Sequence, residues 1–251
     1  MRRRAALIGT FNVATALPPI WVLNLERSKD RRLFMEKQLE GLDLEFEIIK
    51  AVDGKALTED DLRSYSEKET IRCEGTALSP GCIACALSHA RMWHRIIEEN
   101  LNEVLILEDD GLIGESLIDI LRSRHQFPRD WEFMNFLTDA QKIPFGTPII
   151  ENYNVCRFKG NANRTTVYLI NRRGAEKLLK HCFPIRYTAD GLTGRTYLTG
   201  LISYGIEPQV ATLSDYADDS EIWKDINPNS LKSSFFVRMR KQFMQRITGR
   251  D

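Results

Sequence analysis

The segment Leu105-Ile106-Leu107-Glu108-Asp109-Asp110-Gly111 sets three consecutive carboxylates where an apolar run stops. Clustered anions repel one another unless a cation neutralises them. On an extended backbone alternate side chains share a face, so Glu108 and Asp110 can point together while Asp109 points away. Hard oxygen ligands at the carboxyl end of a strand suit Mg2+ or Mn2+ held partly through substrate phosphates. The crevice outside such strand ends is where open α/β sheets take ligands. A solvated acidic turn would be spelled with the same letters.

A strand has to carry these acids and other elements have to back it. Val104 to Leu107 reads as that strand, fed by a long helix that Pro80-Gly81 introduces; its Ile83, Leu87, Ala90, Ile97 and Leu101 recur at helical spacing. Ile20 to Leu25 is a short apolar run suited to a buried strand. Ser28-Lys29-Asp30 then opens a helix with Met35, Leu39 and Leu42 on one face, and Phe46 to Val52 forms a second strand ending at Asp53-Gly54. This makes a βαβ unit. After a polar stretch from Thr58 to Thr76 and the long helix, Trp131 to Leu137 and Thr166 to Ile170 read as further strands, the second followed by a helix from about Arg173 to His181. Alternation of this kind predicts a three-layer α/β domain. The sequence predicts an N-terminal extension (1–19), a main α/β domain (20–224) and a basic tail (225–251).

Composition narrows the partners. Lys plus Arg and Asp plus Glu each total 35, so there is no overall positive field to draw in nucleic acid. Charge is uneven, however. Phe236, Met239, Phe243 and Ile247 align on one helical face between Lys232, Arg238, Arg240, Lys241, Arg246 and Arg250, which predicts an amphipathic helix over 229–251 in peripheral contact with an anionic membrane, or docked on the domain. Arg2 to Arg4 precede an apolar run that Gly9, Thr10 and Asn12 interrupt, which argues against a signal peptide. No segment approaches the ~20 apolar residues of a membrane span. Five cysteines, an odd number, suit reduced thiols in a cytoplasm.

Several separate segments resemble glycosyltransferase family 25, which includes bacterial lipooligosaccharide galactosyltransferases and collagen galactosyltransferase relatives. The likeness is carried by Val22-Leu23-Asn24-Leu25-Glu26-Arg27-Ser28 with Asp30-Arg31-Arg32, then Ala51-Val52-Asp53-Gly54, Gly81-Cys82, Leu87-Ser88-His89 and Trp93. Leu107-Glu108-Asp109-Asp110, Tyr168-Leu169-Ile170, Gly174-Ala175 and Asp190 complete it, in the family's order over about residues 20–222. The resemblance implies a GT-A type fold, a single nucleotide-binding domain around a mixed, mostly parallel sheet, and inversion at the anomeric carbon.

It also implies roles. Asp110 becomes the expected direct ligand of Mn2+ or Mg2+, with Glu108 beside it on the metal and ribose side and Asp109 supporting the turn. Asp190 matches the family's later aspartate and is the expected base for the acceptor hydroxyl; a plain acid at a helix start is the other reading. Asn24, Leu25, Arg27 and Arg31 follow the first strand, where base and phosphates of the donor would be met, and Asp53-Gly54 suits a base or ribose contact. Ser88 and His89 share in the site. The expected donor is a UDP-hexose, most simply UDP-galactose. The expected acceptor is a glycan or lipid-linked oligosaccharide of the lipopolysaccharide type on the cytoplasmic face of the membrane. The acidic patch Asp215 to Ser220 matches the family's late segment only loosely.

Three other readings share the sequence. Cys73, Cys82, Cys85 and His89 have spacing that a structural zinc permits, although the last three fall in one apolar helical stretch. A non-catalytic carbohydrate- or nucleotide-binding protein would keep the same fold. A metal-dependent phosphohydrolase would need more evident ligands.

Overall fold

The structure is a computed structural model in which residues 16–219 are described; Arg2 to Arg4, Ser220 and the basic 229–251 segment lie outside the described residues. The chain runs β1 (Ile20–Asn24), α1 (Lys29–Gly41), β2 (Glu47–Lys50), α2 (Glu59–Arg63), α3 (Glu67–Glu74), α4 (Pro80–Glu98), β3 (Glu103–Glu108), β4 (Gly111–Ile113) and α5 (Glu115–Arg122). It continues through β5 (Phe133–Asn135), β6 (Gln141–Ile150), β7 (Tyr153–Lys159), β8 (Val167–Asn171), α6 (Arg172–Cys182), α7 (Ala189–Gly194), α8 (Thr196–Thr199), β9 (Ser203–Glu207) and β10 (Ala211–Leu213).

Eight strands form one sheet in the order β2-β1-β3-β8-β5-β9-β7-β6. β1 pairs in parallel with both β2 and β3, β5 with β9, while β8 and β7 run against their neighbours. The sheet is therefore mixed, with most strands pointing one way, in agreement with the GT-A type fold. β10 and β4 pair separately just beyond the acidic turn.

Alternation along the central strands sorts side chains into two layers. Val22, Leu105, Leu107 and Leu169 pack with Met35 and Leu39 of α1 and with Leu117, Ile120 and Leu121 of α5. Trp21, Leu23, Val104, Ile106 and Ile170 pack with Met92, Trp93 and Ile96 of α4 and Ala175 and Leu178 of α6. This is the expected three-layer arrangement.

The helices start where the sequence caps them. Ser79 accepts from Cys82 N with Pro80 in the first turn of α4, a cap worth about 1 kcal/mol. The polar Thr58–Thr76 stretch is more ordered than its composition suggests: Thr58 and Asp61 form a reciprocal capping box at α2, and Ser66 caps α3.

Between β5 and β8 the chain makes a long excursion through the β6–β7 hairpin. Its base is latched: Thr138 Oγ1 donates to Asn163 Oδ1 at 2.9 Å, Asp139 N donates to the same oxygen at 3.0 Å, and Arg164 Nη2 meets Asp139 Oδ2 at 2.7 Å. Among the described residues no helix is long and apolar enough to cross a membrane.

Candidate active site

β3 ends at Glu108, and Asp109 and Asp110 form the turn into β4. The alternation expected for the three acids accordingly stops at Glu108. Instead Asp109 and Asp110 both converge on Arg31 of α1, whose Nη2 lies 2.5 Å from Asp109 Oδ1 and 3.2 Å from Asp110 Oδ2. Asp109 is buried and both its oxygens are used, because Asn24 at the end of β1 donates Nδ2 to its Oδ2 at 2.6 Å. The same Asn24 amide donates to Ser28 O at 3.2 Å and so ties the β1–α1 turn to the acidic turn.

Glu108 is held from the other side. Thr165 Oγ1 donates to its Oε1 at 2.6 Å, and His89 Nε2 lies 3.0 Å from the same oxygen. His89 is fully buried on α4, with Nδ1 2.8 Å from the Tyr168 hydroxyl, which also accepts from Trp93 Nε1 at 3.0 Å. An indole can only donate. The arrangement that satisfies every group has Tyr168 donating to Nδ1 and His89 presenting its proton from Nε2 to Glu108. Burial disfavours the Glu108 carboxylate, but the hydrogen bonds from His89 and Thr165 and the charge of Arg31 outweigh it and hold the carboxyl below its usual range. Glu108 is thus an anion in neutral solution.

Asp110 is the opposite case. Burial first, then the negative charge of Glu108, pushes its carboxyl up to about 7 despite Arg31. Its Oδ1 is buried with no hydrogen-bond partner, as are Arg31 Nε and Ser214 Oγ, and Ser214 N donates to Asp110 O at 2.9 Å. Buried polar atoms without partners are rare, and three around one aspartate mark a place built for something else. A hard cation fits the bare carboxylate oxygen, and a phosphate oxygen fits the two unused donors.

The other expected residues divide. Arg27 Nε bonds Asp53 Oδ2 at 2.7 Å on the surface, and this hydrogen bond leads the interactions that lower the Asp53 carboxyl; Asp53 Oδ1 also takes Lys55 N at 2.9 Å. Leu25 O accepts from Ser28 N at 2.8 Å in the turn after β1. Gly54 has a packing reason: a Cβ there would stand 2.8 Å from Gly81 N and Pro80 C, so the chain after β2 touches the start of α4 backbone to backbone. Ser88 is buried, donating to Ala84 O at 2.7 Å and accepting from Val52 N at 2.9 Å, which fastens the end of the β2 segment to α4. Asp190 lies in the first turn of α7, capped by Thr188, and its Oδ1 accepts from Gly191 N at 2.9 Å. Its charge reaches the Cys85 thiol together with those of Glu108 and Asp110.

The four-residue zinc series does not assemble. Cys73 accepts from Tyr187 O–H at 3.3 Å. Cys85 and His89 group instead with Glu108. Asp215 and its neighbours form a short 3-10 turn with Tyr216 packed against Phe34, ring centroids 5.4 Å apart.

Thr165, Tyr168 as a hydrogen-bond partner and Ser214 escaped the sequence reading as site residues. Thr165 reaches Glu108 because β8 runs antiparallel beside β3, with Glu108 N donating to Thr166 O at 2.8 Å. That pairing spans many residues and leaves no local signal.

Fold and site together define an α/β domain with an acidic, partly unsatisfied cluster at the carboxyl end of a central strand. Residues 17–193 match the model of glycosyltransferase family 25 (LPS biosynthesis protein), and the chain belongs to that family. It is 28% identical over 172 residues to procollagen galactosyltransferase 2 of Homo sapiens, a match covering 64% of this chain and 27% of that protein. To a glycosyltransferase 25 family member of Drosophila melanogaster it is 30% identical over 172 residues, covering 65% and 28%. The chain therefore spans little more than a quarter of those relatives. Among solved structures, a glycosyltransferase involved in glycosylation of the major capsid of PBCV-1 aligns over 66% of each chain at 10% identity, with a TM-score of 0.32.

Proposed function

We propose that this chain is an inverting glycosyltransferase that moves a hexose, galactose from UDP-galactose, to a sugar hydroxyl of a lipooligosaccharide, lipopolysaccharide or related glycan. The observation that carries the reading is the set of unpartnered buried atoms at the acidic turn, Asp110 Oδ1, Arg31 Nε and Ser214 Oγ. Together they offer an anionic oxygen for a divalent cation and donors for the diphosphate that the cation accompanies.

Asp110 and Glu108 would hold Mn2+ or Mg2+. When bound, the ion supplies positive charge against the diphosphate that leaves with the nucleotide. The residues of the chain do the rest. Arg31 balances the turn acids and directs a free N–H toward the phosphates. Asn24 fixes Asp109, so the turn holds its shape as charge changes. His89, itself held by Tyr168, and Thr165 keep Glu108 ionised and fix one carboxylate oxygen in place. Asp190, at the start of α7, takes the acceptor hydroxyl proton as its oxygen bonds to the anomeric carbon and UDP departs from the opposite face. Leu25, Arg27, Asp53 and Gly54 lie along the β1 and β2 ends where the nucleoside would rest, and Ser88 braces that edge. The same reading includes a cytoplasmic location with peripheral attachment to the inner membrane face through 229–251.

The test is UDP release from a panel of UDP-hexoses, with a deacylated lipooligosaccharide acceptor, in Mn2+ and after chelation. Mn2+-dependent release that is strongest with UDP-galactose and lost in Asp110→Ala is the expected result. No release from any donor would sink the reading in favour of a binding protein.

A further inference from the structure

The buried face of α4 carries a polar set that donor binding does not use in full. Cys85 and His89 lie one helical turn apart, and with Glu108 they bring a thiol sulfur, a ring nitrogen and a carboxylate oxygen within 4.8 Å of one another. His89 Nε2 and Glu108 Oε1 stand 3.0 Å apart, near the ~3.3 Å that separates two ligand atoms each about 2.0–2.1 Å from a tetrahedral ion. The Cys85 sulfur makes the third member of the same group.

We propose that Cys85, His89 and Glu108 form a second, overlapping site for a thiophilic divalent cation of the zinc class, whose occupancy withdraws Glu108 from the donor site. The withdrawal rests on the transferase reading above; the binding does not.

Three features argue for it. A thiolate, imidazole and carboxylate with a fourth position open is the ligand set of zinc rather than of Mg2+ or Mn2+, which prefer oxygen alone. The imidazole can serve without moving. If the ring proton moves to Nδ1, Tyr168 accepts from His89 as well as from Trp93 and its own proton goes unpaired, a cost that ligation must exceed, and Nε2 then offers a lone pair to a metal instead of a proton to Glu108. The field is also right. The Glu108 carboxylate stands in the same cluster as the sulfur, and its negative charge favours a cation there. On binding, the thiol proton leaves to solvent, the sulfur–metal bond forms, and the ring keeps its one proton, now on Nδ1. Two further thiols are engaged elsewhere: Cys73 with Tyr187, Cys182 with Leu179 O.

Co2+ is the probe, titrated into the reduced full-length chain without donor. A near-ultraviolet thiolate-to-cobalt absorption is expected, present in Cys73→Ser and lost in Cys85→Ser, with zinc displacing it. No such band, or a band that survives Cys85→Ser, overturns the proposal. If circular dichroism shows Cys85→Ser unfolded, wild-type protein decides: zinc should slow alkylation of Cys85, read by peptide mass spectrometry, at least tenfold, and equal rates with and without zinc overturn the site. In the turnover assay Cys85→Ser should keep Mn2+-dependent UDP release and resist zinc inhibition at least tenfold better than wild type; equal zinc sensitivity overturns the withdrawal of Glu108. Absence of UDP release in every form beside a normal cobalt band would mean that the transferase reading fails while the cation site stands.

Discussion

Tyr168 holds His89 by a 2.8 Å contact at Nδ1, and His89 in turn meets Glu108 at 3.0 Å, so an aromatic hydroxyl on β8 governs a carboxylate on β3 through a histidine on α4. Tyr168 also stacks on Phe133 with centroids 4.7 Å apart and takes the Trp93 indole N–H. Tyr168→Phe keeps the ring and removes only the oxygen. Two buried groups then lose a partner, at a cost of about 1–3 kcal/mol. For a domain of this size that is a fall in Tm of roughly 3–10 °C. Differential scanning calorimetry checks it; an unchanged Tm would show that the hydroxyl does not secure His89.

Asp110 gives a pH signature in metal-free protein. Its folded carboxyl stands at about 7, above the ordinary aspartate value of 3.8, so the folded state holds a proton that the unfolded state has released between those pH values. Stability is therefore lost as pH rises from about 4 to 7. Asp110→Asn removes that loss. It should stabilise the chelated protein at pH 8 by on the order of 1–3 kcal/mol and have little effect at pH 4, read by urea titration at both values. A gain as large at pH 4 as at pH 8 would contradict the assignment.

The same carboxyl governs cation binding. A ligand must be deprotonated to coordinate, so apparent Mn2+ affinity should fall about fivefold between pH 7 and 6 and level off above pH 8. Isothermal titration with Mn2+ measures this directly, and Asp110→Asn should flatten the dependence.

Arg27 and Arg31 look alike on the page of the sequence but differ in place. Arg27 forms a surface pair with Asp53, whereas Arg31 lies against two buried carboxylates. Arg27→Ala should change stability by less than about 1 kcal/mol. Arg31→Ala leaves Asp109 and Asp110 facing each other without a countercharge; UDP release should drop at least about 100-fold, mostly in kcat. Equal kinetic losses in the two variants would refute the distinction.

Gly54→Ala tests the contact between the β2 end and α4. The added carbon would meet backbone at 2.8 Å, which cannot yield as a side-chain tip could, and a loss of about 1–3 kcal/mol is expected. Wild-type stability in this variant would show that the two segments can part.

Much of this was legible because it is local. The βαβ unit, α4, β3 and β8 announce themselves through apolar periodicity and, for α4, through Pro80-Gly81. The acidic turn was visible as composition. Its internal division was not: alternation assigned Asp110 to the face of Glu108, but the strand stops first and the turn rotates Asp110 toward Arg31. Thr165 and Ser214 depend on pairings between distant segments, β3 with β8 and the stretch after β10 with Asp110, which no window of sequence contains. The short helices of 59–74 were hidden because capping side chains, rather than an apolar face, begin them.

The latch at the base of the β6–β7 excursion separates what can vary from what cannot. Thr138, Asp139, Asn163 and Arg164 close the loop just before Thr165 touches Glu108, so the base of the hairpin is fixed independently of its strands. Provided that Val155 and Cys156 still fit β9, residues between the latch points can be exchanged between family members as a cassette. The hairpin is the far edge of the sheet, with β8, β5 and β9 between it and β3, so a chimera made there should leave the chemistry of the acidic turn as it is.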